Sequence, residues 1–153
     1  MLTIMFLLNV ETSKIEFTRD NLNHYDPALI LAGIAKHECL NLSWQERHLV
    51  MEAVWNRVQD NYNGNGTSIQ EQLLAPKQFT GLFIYRPQDF SVNKTDPLDI
   101  ENIYMAICVI NGHRLANRKI HYWSDNTNKN SKHYRYVKRH KIHTDFPTVQ
   151  IFR

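Results

Sequence analysis

The run from Asp26 to Cys39 constrains this chain more than any other. Asp26-Pro27 opens a helix, because an aspartate accepts from free N–H groups of the first turn and proline is tolerated at the first helical position. From Ala28 to Ala35 every residue is apolar or glycine. A helix that is apolar on all sides belongs inside a protein, so the rest of the chain has to wrap around it. With 153 residues there is enough chain for one domain with a substantial core. The 42% hydrophobic and 22% charged residues fit a globular protein and exclude a disordered or fibrous one.

The neighbouring elements follow from local signals. Ser43-Trp44-Gln45-Glu46 reads as a capping box that starts a second helix. Val50, Met51, Val54, Trp55 and Val58 then recur on one face. Glu46 is expected to be occupied by the cap, and Glu52, outside the apolar stripe, to face solvent. Residues 61–66 read as a loop, Thr67 to Glu71 as another capped start ended by Pro76, and Lys77 to Gly81 as a loop. Asp96-Pro97 starts a further helix carrying Ile100, Ile103, Tyr104, Ile107, Cys108 and Ile110. Ile15 and Phe17 alternate with polar residues, which predicts a short strand. Asp125 to Ser131 is a polar loop. The expected fold is mainly α (α+β), with a loop-rich C-terminal region and a small sheet. The chain reads as one catalytic domain over 1–153, with an N-terminal strand or docking segment (1–25), a helical core (26–117) and a basic loop-rich segment (118–153).

The apolar run Met1 to Leu8 is far shorter than the roughly 20 residues of a spanning helix. It lacks a basic flank before it and a small-residue cleavage site after it, so it reads as a buried strand or docking segment, with neither a Sec signal peptide nor a membrane partner expected. Charge is uneven. Residues 1–117 carry 9 Lys+Arg against 13 Asp+Glu, and residues 118–153 carry 9 against 2. A basic C-terminal quarter suits a polyanionic partner. Cys39 and Cys108 fall in predicted helices and read as buried thiols.

The candidate for chemistry is Glu38. At the C-terminal end of a buried helix it faces the negative end of the helix dipole, in surroundings expected to be apolar. Both effects disfavour the carboxylate and predict a raised pKa, as a general acid requires. The plainer alternative is a helix-end carboxylate paired with Arg or Lys. Asn56-Arg57 similarly suits either a helix end or a substrate contact. Cys39 as a nucleophile is disfavoured, because helix N-termini and not C-termini stabilise thiolate. His37-Glu38 lacks the second histidine of a zinc motif, and His140 and His143 lie among lysines, so no metal or other cofactor is expected. Residues 118–143 hold eight Lys+Arg and four His interleaved with Tyr122, Trp123, Tyr134 and Tyr136. That pattern also suits a nucleic-acid-binding protein, the alternative reading.

Glu38, then Asn56-Arg57-Val58 eighteen positions on, then Gln78-Phe79-Thr80, resembles the spore-cortex-lytic cell-wall hydrolase family of the SleB type. Tyr122-Trp123-Ser124-Asp125-Asn126 and the region of His143 correspond to the family's closing aromatic segments. The chain departs from the family at Asn41-Leu42, where Gly-Glu is usual, and at Cys39, where a small residue is usual. The resemblance implies a lysozyme-like fold and cleavage of peptidoglycan between N-acetylmuramic acid and N-acetylglucosamine, with Glu38 as the catalytic acid. Gln78, Asn56, Tyr122 and Trp123 are candidate substrate-binding residues, since aromatic faces pack on sugar C–H surfaces. With Glu46 and Glu52 both set aside as a second carboxylate, a lytic transglycosylase is expected, not a two-carboxylate hydrolase. The expected partner is bacterial peptidoglycan. The missing signal peptide points to a phage-associated or exported lysin acting in the cell wall or periplasm, with virion or tail proteins as further partners.

Overall fold

The structure is a computed structural model that describes residues 13–39, 41–116, 119–125, 141–142 and 149–152, the last three strand segments as backbone pairing. The Met1–Leu8 run, His143 and most of the basic segment lie outside the described residues. The fold is mainly helical with small sheets. Helix α1 (Pro27–Cys39) is the central element. Asp26 Oδ1 accepts from Ala28 N at 2.8 Å, as the capping argument requires. Ala28 to Ala35 are all buried.

Helix α2 (Trp44–Gln59) begins at the expected capping box, with Ser43 and Glu46 bonded reciprocally. Short helix α3 (Ile69–Leu74) has the same device at Ser68 and Glu71. Helix α5 (Pro97–Ile110) is capped by Asp96, which accepts from Leu98 N and Asp99 N. Helices α2 and α5 run in the same direction: Arg47, early in α2, donates to Asn102, while Gln59 at its end meets Arg114 just beyond α5. Helix α1 runs against α5, since Lys36 near its end pairs with Asp99 in the first turn of α5.

One expected loop is partly helical. Thr80–Ile84 forms α4, entered through Phe79 at φ 46°. Left-handed backbone at a non-glycine residue turns the chain sharply into the helix, which propensity alone does not signal.

Strands β1 (Lys14–Glu16) and β2 (Ser91–Asn93) pair antiparallel, Ile15 opposite Val92. Phe17, just past β1, packs on Phe90 and Tyr25. Its ring lies over Gly33, where an added Cβ would stand 2.6 Å from Phe17 Cε2. The glycine thus lets the β1-β2 pair and the Phe17 ring close on α1. Farther along, β3 (Tyr122–Asp125), β4 (Lys141–Ile142) and β5 (Val149–Phe152) form an antiparallel sheet in the order β3-β5-β4. Among the described residues no helix is long and apolar enough to cross a membrane.

Candidate active site

Glu38 sits in the last turn of α1, as expected, but not in an apolar pocket. Its side chain is 30% exposed and lies at the surface. In this last turn His37 and Cys39 face the interior, and Glu38 between them faces out. The expected apolar surroundings are therefore corrected.

What stands beside Glu38 is a buried imidazole. His37 is 7% exposed, and its Nδ1 lies 3.4 Å from Glu38 Oε1. Its Nε2 is 2.7 Å from the Tyr85 carbonyl. A carbonyl oxygen only accepts, so Nε2 carries the proton and donates. In the neutral ring Nδ1 is then an acceptor facing Glu38. Arg86, at φ 50°, donates to the His37 carbonyl at 3.4 Å, so the 85–86 turn is fastened to the end of α1 by both residues. Tyr85 and Ile84 are left exposed at this rim.

Cys39 is the other reactive atom nearby. Burial, then the adjacent Glu38 charge, push its thiol far above the usual range. A thiol held protonated is no nucleophile at neutral pH.

The second cluster lies toward the far end of α2. Asn56 is twelve residues from Trp44, or about 18 Å along the helix. It is 2% exposed, and its Nδ2 donates to Ile120 O at 2.9 Å. Its amide is spent on the backbone, so Asn56 is corrected from a substrate contact to an anchor. Arg57 donates from Nε to His121 O at 2.5 Å and from Nη1 to Gln78 Oε1 at 3.3 Å. Its guanidinium also lies over the Tyr62 and Phe79 rings. His121 stacks on Tyr62 at 5.2 Å, and its Nε2 is 2.7 Å from Asp60 Oδ2. Strand β3, with Tyr122 and Trp123, starts directly after His121. Arg57 thus joins the Asn-Arg pair, the Gln78 loop and the entry to β3.

No hydrogen bond among the described residues joins Glu38 to Asn56 or Gln78. Helix α4 spans the two clusters instead: it follows Gln78 and Phe79 and ends at Tyr85, which holds His37.

Glu52 is the larger correction. It does not face solvent: it is 0% exposed, accepts from the backbone N–H groups of Leu115 and Ala116, and lies 3.0 Å from His48 Nδ1. Helix α2 is buried on more than one side, and its second buried side is polar. His48, Glu52 and Asn56 recur at i, i+4 and i+8, and the last two hold the chain returning from α5. That spacing of polar residues was the signal available in the sequence. Glu46 is also buried, with Oε2 bonded to Ser43 N and Oγ.

Among the described residues no cluster of His, Cys, Asp or Glu could hold a metal ion. No family model, curated protein or solved structure matches this chain.

Proposed function

We propose that this is a lysozyme-like enzyme that cleaves peptidoglycan strands between N-acetylmuramic acid and N-acetylglucosamine, as a lytic transglycosylase. The observation that carries the reading is the placement of Glu38. It is an accessible carboxyl at the end of the central helix, and it faces the acceptor nitrogen of a buried histidine whose other nitrogen is fixed. The carboxyl is therefore open to a substrate, with a fixed imidazole beside it. Tyr85 offers an exposed aromatic face at the same rim. The Arg57 cluster, with Gln78 and the entry to β3, lies at the other end of α4 and offers a second contact region for a polymeric strand.

In this reading Glu38 protonates the leaving glycosidic oxygen. The resulting carboxylate takes the proton from the muramic acid C6 hydroxyl, whose oxygen attacks C1 of the same residue. The products are a 1,6-anhydromuramic end and a free N-acetylglucosamine hydroxyl, with no water consumed. Both carboxyls nearest in sequence are engaged elsewhere, Glu46 in its cap and Glu52 on two backbone amides. This favours the one-carboxyl route over hydrolysis by an acid and a nucleophile or base.

Glu38→Gln keeps the shape and removes the proton donor, so cleavage of sacculi is expected to fall by about 10²–10⁴-fold with the fold intact. Mass spectra of wild-type digests are expected to show anhydromuramic ends. Wild-type turnover by the folded Gln variant would defeat the assignment. Reducing ends that take up oxygen-18 from labelled water would defeat the intramolecular route. The nucleic-acid alternative rests on residues mostly outside the described ones, and no structural observation favours it.

A further inference from the structure

A cavity of about 360 Å³ opens between α2, α5 and the 113–115 turn. Its walls include Trp44, His48, Tyr104, Met105, Cys108 and Leu115. Trp44, Tyr104 and Leu115 are 46%, 57% and 42% exposed, so three of the six large hydrophobic side chains left exposed among the described residues surround this one opening. Apolar side chains gathered at a concave site mark a ligand surface more often than chance exposure does.

Two imidazoles line the cavity, the exposed His113 of the turn and His48, which is 6% exposed. Its Nδ1 side is turned to Glu52 Oε1 at 3.0 Å, a contact that is short but off-axis for a hydrogen bond. Glu52 must accept from two backbone amides, so it presents acceptors to His48 and favours the proton on Nδ1. Nε2 is then the atom with acceptor capacity to offer the cavity. The charged wall residues are already occupied. Glu101 pairs with Arg47, and Arg114 donates to the carbonyls of Val109 and His113. A neutral ligand therefore fits better than an ionic one.

We propose that this cavity is a carbohydrate subsite that holds one N-acetylated hexose unit, separate from Glu38. The aromatic side chains of Trp44 and Tyr104 suit the C–H face of a pyranose ring. The His48 imidazole meets one ring hydroxyl, and His113 on the turn is available to a second. Met105 and Leu115 give an apolar wall for the acetamido methyl group. The choice of sugar rests on the glycan-cleavage reading; the cavity and its polarity do not.

The test is an amide and side-chain NMR titration of the full-length Glu38→Gln protein with tri-N-acetylglucosamine, N-acetylglucosamine and glucose. Saturable shifts are expected at the Trp44 indole N–H, at the His48 ring and at Leu115, with both acetylated sugars and far weaker with glucose. Trp44→Ala, and separately the surface change Tyr104→Ala, should weaken binding at these signals about tenfold. Absence of saturable shifts at these positions would overturn the subsite, and so would shifts that both variants leave unchanged. A response to glucose equal to that of the acetylated sugars would overturn the acetamido assignment. Cleavage of sacculi by wild type and by Tyr104→Ala separates the two readings. Cleavage without binding here overturns the subsite alone, and binding here without cleavage overturns the enzymatic reading alone.

Discussion

Asp60 ties the end of α2 to the segment that leads into β3. Lys119 Nζ donates to its Oδ1, and His121 Nε2 lies 2.7 Å from its Oδ2. The hydrogen bond from Lys119, with that from His121 after it, outweighs desolvation and holds the Asp60 carboxyl below the ordinary value of 3.8. A carboxyl with a lowered folded pKa contributes stability that is present above the unfolded pKa. That stability is lost as pH falls through the folded value. The pair is largely solvent-facing, so the contribution is modest. Asp60→Asn should be less stable than wild type at neutral pH, and the gap should close as pH falls below the ordinary aspartate range. Circular dichroism of acid unfolding for both proteins measures this; a gap that stays constant would dispose of the linkage. Charges of this kind were hard to place from sequence. Glu38 was expected to be enclosed because α1 is enclosed, yet it faces outward between the buried His37 and Cys39. Glu52 was expected outside because it leaves the apolar stripe, yet a second set of neighbours covers it.

The elements themselves were legible where a local device defines them. The cap at Asp26, the boxes at Ser43 and Ser68 and the cap at Asp96 all form bonds between residues within three positions of each other. Such bonds depend on little beyond the local chain. What was not legible is which side of each helix finds a partner, since that is fixed by residues tens of positions away. Two substitutions probe this. Gly33→Ala suits a helix by propensity, but its Cβ would press on the Phe17 ring, which Tyr25 and Phe90 confine. We expect a loss of about 1–3 kcal/mol, as for an overpacked core. A denaturant midpoint equal to or above wild type would show that the Phe17 ring yields. Asn56→Leu leaves the Ile120 carbonyl without its donor in a buried place, at a cost of about 1–3 kcal/mol. Because Asn56 is an anchor, stability should fall while the affinity of the folded fraction for sacculi stays unchanged. A selective loss of affinity would restore it as a substrate contact.

Across the whole molecule, basic charge and the proposed catalytic residue are separated along the chain. The described helical part holds Glu38, and the 118–153 segment holds 9 Lys+Arg against 2 Asp+Glu. The three-stranded sheet β3-β5-β4 belongs to that basic segment, and Asn56 and Arg57 hold the backbone just before β3. The basic segment is therefore attached to the cluster proposed to contact glycan. Peptidoglycan stem peptides and wall polymers are anionic, so the segment is expected to add affinity for the wall without touching the reacting bond. Replacing Lys132, Arg135, Lys138 and Arg139 together with Gln removes four positive charges from it. Pelleting with sacculi should weaken, while turnover of a small soluble glycan changes little. Wild-type pelleting should itself decline as salt rises, because exposed charges are screened over about 10 Å at 0.1 M. The two assays divide the possibilities cleanly. Equal loss in both would place the basic residues in the cleavage step, and salt-independent pelleting would mean that contacts other than charge hold the wall. Salt-sensitive DNA binding by the Glu38→Gln protein, with no affinity for sacculi, would turn the reading toward a nucleic-acid-binding protein.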